Sequence, residues 1–426
     1  MEFLHILPAF VALAGSKPTA TKRPNLNFPA DTSKLVRWNI EVNPEFIKKL
    51  ERKAKLFEPA SEFEDNSSNA NWQEGLPRSE SAALRDFWVN DFDWFKYQKE
   101  INANYTHYAL SVQAGEGYEP PVPLHFVHEL SQRKDAIPLL LIHGYPSTHL
   151  EWSKVIKPLT SPKSRKDPAF HAIAVDLPGY GFSPAPVLPT LGPKQLAIAF
   201  DNLMKAIGYS KYAVMSQDQG WWSGMWMTYL VLDNIIGHYC DFAAISPNAT
   251  DLERYARGEA TEEEALYIEA GQAWPRDHTS YSQLFVQSPR VAGELFADSP
   301  VGFAAYLWYL MRKVTGGYEI TPQWVISRTI PMMIQEAWTS IRSYKLTFSA
   351  DSNAFPYTEV LTGVSRWSWA GNPFPDINNN PMVPRNFLER YMNLVHFTTY
   401  DKGGHFPAET RPDAWLRDIR QFFSKL

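Results

Sequence analysis

The sequence predicts an α/β fold with a mostly parallel central sheet and helices on both of its faces. After about residue 110, helical segments alternate with short, continuous apolar runs at 139–142, 172–175, 212–215 and 242–245. Continuous apolar runs of this length indicate strands that are buried on both faces, as in a parallel sheet. A mostly helical block then separates these strands from two further runs at 360–364 and 395–399. A block in this position is typical of a lid over a site at the strand ends.

The region before the sheet is predicted to be a helical meander. Asn43 and Pro44 form a typical cap and first residue for a helix over 43–57, and a second, aromatic helix is expected over about 79–104. We therefore divide the chain into five regions. These are a terminal segment (1–24), the meander (25–110), the first part of the core (111–250), the lid (251–346) and the second part of the core (347–426), which ends in a helix over 413–423.

The first 24 residues leave two interpretations open. Residues 3–15 are apolar and have the length of a signal-peptide core, but the basic residues that normally precede such a core are missing. As a signal or anchor, this segment would make the protein secreted or membrane-associated. As a disordered or packing tail, it would leave the protein in the cytoplasm.

Composition excludes several classes of function. The chain of 426 residues has a formal net charge of −5 and no run rich in Lys and Arg, which argues against a nucleic-acid partner. Its single cysteine, Cys240, excludes an intrachain disulfide and a cysteine-based zinc site. No paired-histidine motif indicates a metal centre.

The central motif is the run Ser216-Gln217-Asp218-Gln219-Gly220, which follows an apolar strand and precedes a helical stretch. Small residues two positions before and after a nucleophile allow the sharp strand-to-helix turn called a nucleophile elbow. Here the middle residue is Asp218. Aspartate side chains are ionised at neutral pH, so such a residue can attack an electrophilic carbon without a base. Taken alone, the pattern is weak and favours an aspartate that caps the following helix.

Two further motifs follow predicted strands. His143-Gly144-Tyr145-Pro146 comes directly after the run at 139–142, and the backbone N–H of Tyr145 could form an oxyanion hole with that of Gln219. Gly403-Gly404-His405 follows the last strand, and its imidazole is the natural general base for a water molecule. The order of nucleophile, then histidine, is that of α/β hydrolases.

With these motifs the sequence resembles the microsomal-type epoxide hydrolase family over nearly all of the chain after about Val36. The resemblance implies the α/β-hydrolase fold with an N-terminal meander and a helical lid. The segments that carry the resemblance are Phe87-Trp88 with Asn90 to Trp94, Leu139 to Trp152, Asp176 to Ser183, Tyr281 with Asp298 to Gly302, and Ser340 to Lys345.

The resemblance implies a reaction in two steps that uses no cofactor. Asp218 would attack an epoxide carbon while Tyr281 and Tyr344 donate a proton to the opening ring. His405 would then activate water to hydrolyse the resulting ester and release a vicinal diol. The high aromatic content of the chain favours a small lipophilic epoxide as the substrate.

The sequence departs from the family in two places. Gln219 stands where the family usually has Trp, and Gln217 replaces the usual Gly. The family's orienting acid falls by simple counting at Ala370, which is not an acid. If the extra residues of this segment precede the Pro-Phe-Pro run, Asp376 takes that position, although it also fits a turn beside Asn378.

Three alternative functions remain open at this point. A haloalkane dehalogenase would use the same aspartate and histidine, but it would need halide-binding side chains instead of two lid tyrosines. A non-hydrolytic enzyme of specialised metabolism would keep the pocket with an altered elbow. A catalytically inactive binding protein is disfavoured, because Asp218, His405, Tyr281 and Tyr344 are all present.

Overall fold

In the computed structural model of the protein, residues 25–62, 72 and 74–426 are described, apart from the side chains of residues 375 and 376. The apolar segment 1–24, with its signal and anchor interpretations, lies outside the described residues. Among the described residues, no helix combines the length and the apolar character needed to cross a membrane.

The described strands form one nine-stranded sheet with the order β1-β2-β3-β5-β4-β6-β7-β8-β9. The first three pair antiparallel, β3 also runs antiparallel to β5, and all pairs from β5 to β9 are parallel. The strand bounds are β1 Val36–Trp38, β2 His107–Val112, β3 Val122–Glu129, β4 Ile137–Ile142, β5 Phe170–Val175, β6 Tyr212–Ser216, β7 Ile235–Cys240, β8 Thr358–Trp367 and β9 Met392–Tyr400.

The helices fall into an N-terminal group, a group that alternates with the parallel strands, and a group between β7 and β8. The first group is α1 Pro44–Lys55, α2 Arg78–Asn90 and α3 Trp94–Asn104; the second begins with α4 Ile156–Thr160, α5 Pro193–Ala206 and α6 Gln219–Leu230. The third is α7 Ala249–Ala256, α8 Glu262–Asp277, α9 Ser280–Gln287, α10 Pro289–Asp298, α11 Pro300–Val314, α12 Pro322–Ile334, α13 Ala337–Thr347 and α14 Ala350–Asn353. The chain ends with α15 Pro375–Asn378, α16 Arg385–Leu388, α17 Pro407–Thr410 and α18 Pro412–Phe423.

Burial of the sheet on both faces explains why its strands read as continuous apolar runs. In β4, Leu140 and Ile142 join the core on one face, and Leu139 and Leu141 join the core on the other. All four side chains are fully buried. Successive side chains of a strand point to opposite faces, so each face needs its own apolar set. The predicted α/β fold with a mostly parallel sheet is confirmed.

Two predicted elements differ from the structure. The run Phe242–Ile245 is not a strand, because the neighbouring segment Ile235–Cys240 pairs with β6 instead. Gly237 and His238 interrupt the apolar pattern of that segment, and for this reason the strand was not predicted from the sequence. The single helix expected over 79–104 is broken in two, because Asp93 accepts hydrogen bonds from the N–H groups of Phe95 and Lys96 and so starts a new helix.

Candidate active site

The run Ser216–Gly220 forms a tight turn between β6 and α6, with Asp218 at its apex. The backbone of Asp218 has φ 46° and ψ −125°, a conformation that non-glycine residues rarely adopt. The turn passes so close to β4 that a Cβ at Gly220 would lie 2.5 Å from the carbonyl oxygen of Ile142. Only glycine allows this approach, and the turn lifts the Asp218 carboxylate to the carboxyl end of the sheet.

The loop after β4 brings a backbone donor to this carboxylate. The N–H of Tyr145 donates to Oδ1 of Asp218 over 2.7 Å. A Cβ at Gly144 would lie 2.3 Å from that Oδ1 atom and 2.6 Å from the backbone nitrogen of Gln219. The loop can bring the N–H of Tyr145 to the Asp218 carboxylate, close to the backbone nitrogen of Gln219, only because residue 144 has no side chain.

His405 lies on the opposite side of the carboxylate, with its Nε2 3.2 Å from Oδ2 of Asp218. Its backbone N–H donates to the carbonyl of Val314 over 2.7 Å, and its own carbonyl accepts from Nε2 of Gln217 over 2.7 Å. Gln217, which the sequence showed only as a departure, thus ties the elbow to the histidine loop. The rings of Phe242 and Phe406 pack edge-on against the imidazole, at centroid distances of 5.0 and 4.7 Å.

The loop after β8 runs beside the histidine loop, because Gly404 donates its N–H to the carbonyl of Ser368. The Trp369 ring packs edge-on against the imidazole, with centroids 5.8 Å apart. Among the described side chains, Asp218 is the only carboxylate that hydrogen-bonds His405. Asp376 lies in helix α15 of this same loop, but its side chain is outside the described residues, so its role as orienting acid stays a prediction.

The two predicted lid tyrosines lie together near the carboxylate. Tyr281 is on α9 and Tyr344 on α13, and their ring centroids are 6.1 Å apart. Burial raises the pKa of both phenols well above the usual value of 10, and the neighbouring Asp218 carboxylate raises it further. Both phenols are therefore protonated at neutral pH and can donate a proton.

The side chain of Gln219 connects the elbow to the lid. Its Oε1 accepts a hydrogen bond from the Tyr180 hydroxyl over 2.9 Å and another from Oγ of Ser343 over 2.5 Å. Ser343 directly precedes Tyr344 on α13. The substitution of glutamine for the family's tryptophan thus places a polar link between the residue after Asp218 and the helix that carries one proton donor. Tyr180 and Ser343 lie in two of the segments that carry the family resemblance, but nothing in those segments predicted this contact with Gln219.

A buried polar cluster supports the loop that carries Tyr145. Asp176 accepts hydrogen bonds from Nδ1 of His125 over 2.8 Å and from both the backbone N–H and Nδ1 of His149, over 2.7 and 2.9 Å. Although burial alone raises the pKa of Asp176, His149 and His125 hold it well below its usual value. In the described part of the chain this is the one group with metal-ligand spacing. The Nδ1 atoms of His125 and His149 already bond the Asp176 carboxylate, and the cluster thereby anchors the loop that carries Tyr145.

A cavity of about 500 Å³ opens above the carboxylate. Asp218, His405, Tyr281 and Tyr344 all line it, and most of the remaining wall is apolar or aromatic. Such a cavity suits a lipophilic molecule with one polar, reactive group that is held by a few convergent donors.

A nine-stranded α/β sheet with an acidic elbow, a backbone donor and a histidine at its carboxyl edge defines an enzyme of the α/β-hydrolase class. Residues 139–419 match the alpha/beta hydrolase family, and residues 35–152 match the epoxide hydrolase N terminus. The chain belongs to the alpha/beta hydrolase family and, within it, to the epoxide hydrolases of the microsomal type. The family resemblance predicted from the sequence is therefore confirmed.

The relatives cover almost the whole chain. The juvenile hormone epoxide hydrolase of Manduca sexta is 26% identical over 426 residues, covering 92% of this chain and 86% of the relative. Epoxide hydrolase 1 of Sus scrofa is 25% identical over 445 residues, covering 97% and 91%. The crystal structure of juvenile hormone epoxide hydrolase from the silkworm Bombyx mori superposes with a TM-score of 0.79 at 22% identity, over 92% of this chain and 95% of that one, which shows the shared fold.

Proposed function

We propose that this epoxide hydrolase opens its substrate through a covalent ester on Asp218. The observation that supports this proposal most directly is the placement of the Asp218 carboxylate. It lies between the N–H of Tyr145 and Nε2 of His405, in a cavity that Tyr281 and Tyr344 also line. One carboxylate thus faces an oxyanion donor, a base and two proton donors at the same time.

In the first step, a carboxylate oxygen of Asp218 attacks one epoxide carbon and the bond from that carbon to the epoxide oxygen breaks. The released oxygen takes a proton from Tyr281 or Tyr344, which becomes a phenolate. Burial makes a charged phenolate unfavourable. A hydrogen bond from the second phenol offsets this cost and stabilises the phenolate. The product of this step is a hydroxyalkyl ester.

In the second step, Nε2 of His405 takes a proton from water, and the hydroxide attacks the ester carbonyl carbon of Asp218. The backbone N–H groups of Tyr145 and Gln219 stabilise the oxyanion that forms. Collapse of this tetrahedral intermediate breaks the bond between the carbonyl carbon and the alkyl oxygen. The alkyl oxygen takes up the carboxyl proton and leaves as part of the vicinal diol. The proton held by His405 then neutralises the phenolate. We further propose that Asp376 orients the imidazole during this step.

The test is to trap the ester. His405→Ala should form the ester and fail to hydrolyse it. Mass spectrometry of the intact protein should then show an adduct with the mass of the added epoxide, and digestion should place it on the peptide that contains Asp218. His171→Ala, a partly buried histidine far from Asp218 in the fold, serves as the matched control and should turn over like the wild type. The proposal is wrong if the wild type hydrolyses the epoxide while His405→Ala never accumulates an adduct.

A further inference from the structure

A second cavity, of about 310 Å³, lies beside the active-site cavity at the carboxyl ends of β7 and β8. Its wall contains Phe242, Tyr267, Met382 and Val383, together with the small residues Ala243 and Ala270. The residues after β7 that were expected to be a strand thus form part of this wall.

The two cavities share a wall. Phe242, Ala244, Trp274 and Trp369 line both of them. Trp274 comes from helix α8 and Trp369 from the loop after β8, and their rings meet edge to face with centroids 5.6 Å apart. Because Phe242 and Trp369 also pack against the His405 ring, the second cavity begins directly behind the catalytic imidazole.

Gly271 lines the second cavity without placing a side chain in it. It lies in the interior of helix α8 and lines the cavity, and a Cβ added there would meet no atom within 4 Å. Close packing therefore does not require glycine at this position, and its backbone is not among those with positive φ. Glycine lowers helix stability relative to alanine, so the position lacks a local structural reason to be glycine. Its missing side chain leaves space in the cavity.

Arg366 and Asp241 are the charged residues of this wall, and each has a hydrogen-bond partner, although Oδ1 of Asp241 has none. The Arg366 guanidinium bonds Glu263 and the carbonyl of Val383. Asp241 accepts a hydrogen bond from the indole of Trp415 over 2.8 Å, and burial raises its pKa to about 8, so it is mainly uncharged at neutral pH. The cavity therefore offers mainly apolar contact, which matches an uncharged hydrocarbon chain.

We propose that the second cavity binds the aliphatic chain of an elongated epoxide while its ring reacts at Asp218. This inference rests on the proposed function. It assigns Gly271 and Ala270 as residues that determine which chain lengths the enzyme accepts. The substrate class is a lipophilic epoxide whose chain passes the Trp274–Trp369 pair.

The test is a series of terminal epoxides from epoxybutane to epoxydodecane. In the wild type, kcat/KM should rise by up to about fourfold for each methylene that the cavity takes up, which corresponds to ~0.8 kcal/mol per methylene. Gly271→Leu and Ala270→Leu each add a bulky side chain to the cavity wall. They should lower kcat/KM for epoxydodecane by about tenfold or more while leaving epoxybutane within about twofold of the wild type. Gln272→Leu adds the same side chain one residue along the helix, outside the cavity wall, and should change neither value.

A wild-type kcat/KM that does not depend on chain length would overturn the inference. So would a steep dependence that both filled variants retain, because the chain would then lie elsewhere. If no epoxide in the series is hydrolysed, the proposed function fails. The cavity is then tested by binding of dodecanediol and butanediol, followed through tryptophan fluorescence. Tighter binding of dodecanediol that Gly271→Leu abolishes supports the inference, and equal binding of the two diols refutes it.

Discussion

Replacement of Gly144 by alanine tests whether the close approach of the loop after β4 to Asp218 is needed for activity. The new methyl would lie 2.3 Å from Oδ1 of Asp218 and 2.6 Å from the backbone nitrogen of Gln219. Ordinary contacts between such atoms are about 3.5 Å, so the carboxylate and the loop must separate by roughly 1 Å. A displacement of that size at reacting atoms lowers the reaction rate by about a hundredfold. Loss of an oxyanion donor lowers kcat by about a hundredfold to a thousandfold.

We therefore expect Gly144→Ala to lower kcat/KM by about a hundredfold to a thousandfold, and to lower the free energy of unfolding by about 1–3 kcal/mol because of overpacking. The assay is kcat/KM on a small epoxide together with the thermal unfolding midpoint. Gly271→Ala is the matched control, because its methyl meets no atom within 4 Å. It should keep its activity on a small epoxide and gain roughly 0.5–1 kcal/mol of stability from the helix. A Gly144→Ala enzyme with nearly wild-type kcat/KM and an unchanged midpoint would refute this reasoning.

Two further predictions concern the lid and the core. Tyr281→Phe and Tyr344→Phe should each slow ester formation. The single-turnover rate of the double variant should fall by about a hundredfold or more, because proton donation to the opening ring disappears. Equal rates for the double variant and the wild type would contradict this role. Burial raises the pKa of Asp241 from 3.8 to about 8, so the stability that comes from its extra bound proton is complete below about pH 4 and is lost as the pH rises through about 8. Asp241→Asn keeps an acceptor for Trp415 and removes this loss. Its unfolding midpoint should therefore exceed that of the wild type by a margin that grows between about pH 4 and pH 8. A constant margin across that range would show that the carboxyl does not carry the proton.

The parts of the fold that could be predicted from the sequence depend on local patterns. Burial on both faces of the sheet produced the apolar runs, and Asn43 with Pro44 marked the start of α1. The strand Ile235–Cys240 escaped prediction because Gly237 and His238 are accommodated by contacts with distant residues. His238 bonds Oγ of Ser216 over 2.7 Å, and Leu426 lies where a side chain at Gly237 would be. Neither contact can be predicted from the residues next to Gly237 and His238 in the sequence.

The same distinction applies to the candidate site. Asp218, Tyr145 and His405 were predicted from motifs because each lies at a strand end, where the parallel sheet brings separate turns to one edge. Tyr281 and Tyr344 came from the family resemblance, and the structure places them in the cavity with Asp218. The Tyr281→Phe and Tyr344→Phe variants test their roles.

By itself, the sequence determined the class of fold, the order of the strand-end motifs and the family, because these depend on residue types at short spacings. Only the tertiary structure decided what Gln217 and Gln219 do. Gln217 holds the carbonyl of His405 across 188 positions of sequence, and Gln219 bonds Ser343 across 124. The physical reason is that a buried amide must find its partners wherever the packed chain provides them, and no local pattern records that choice.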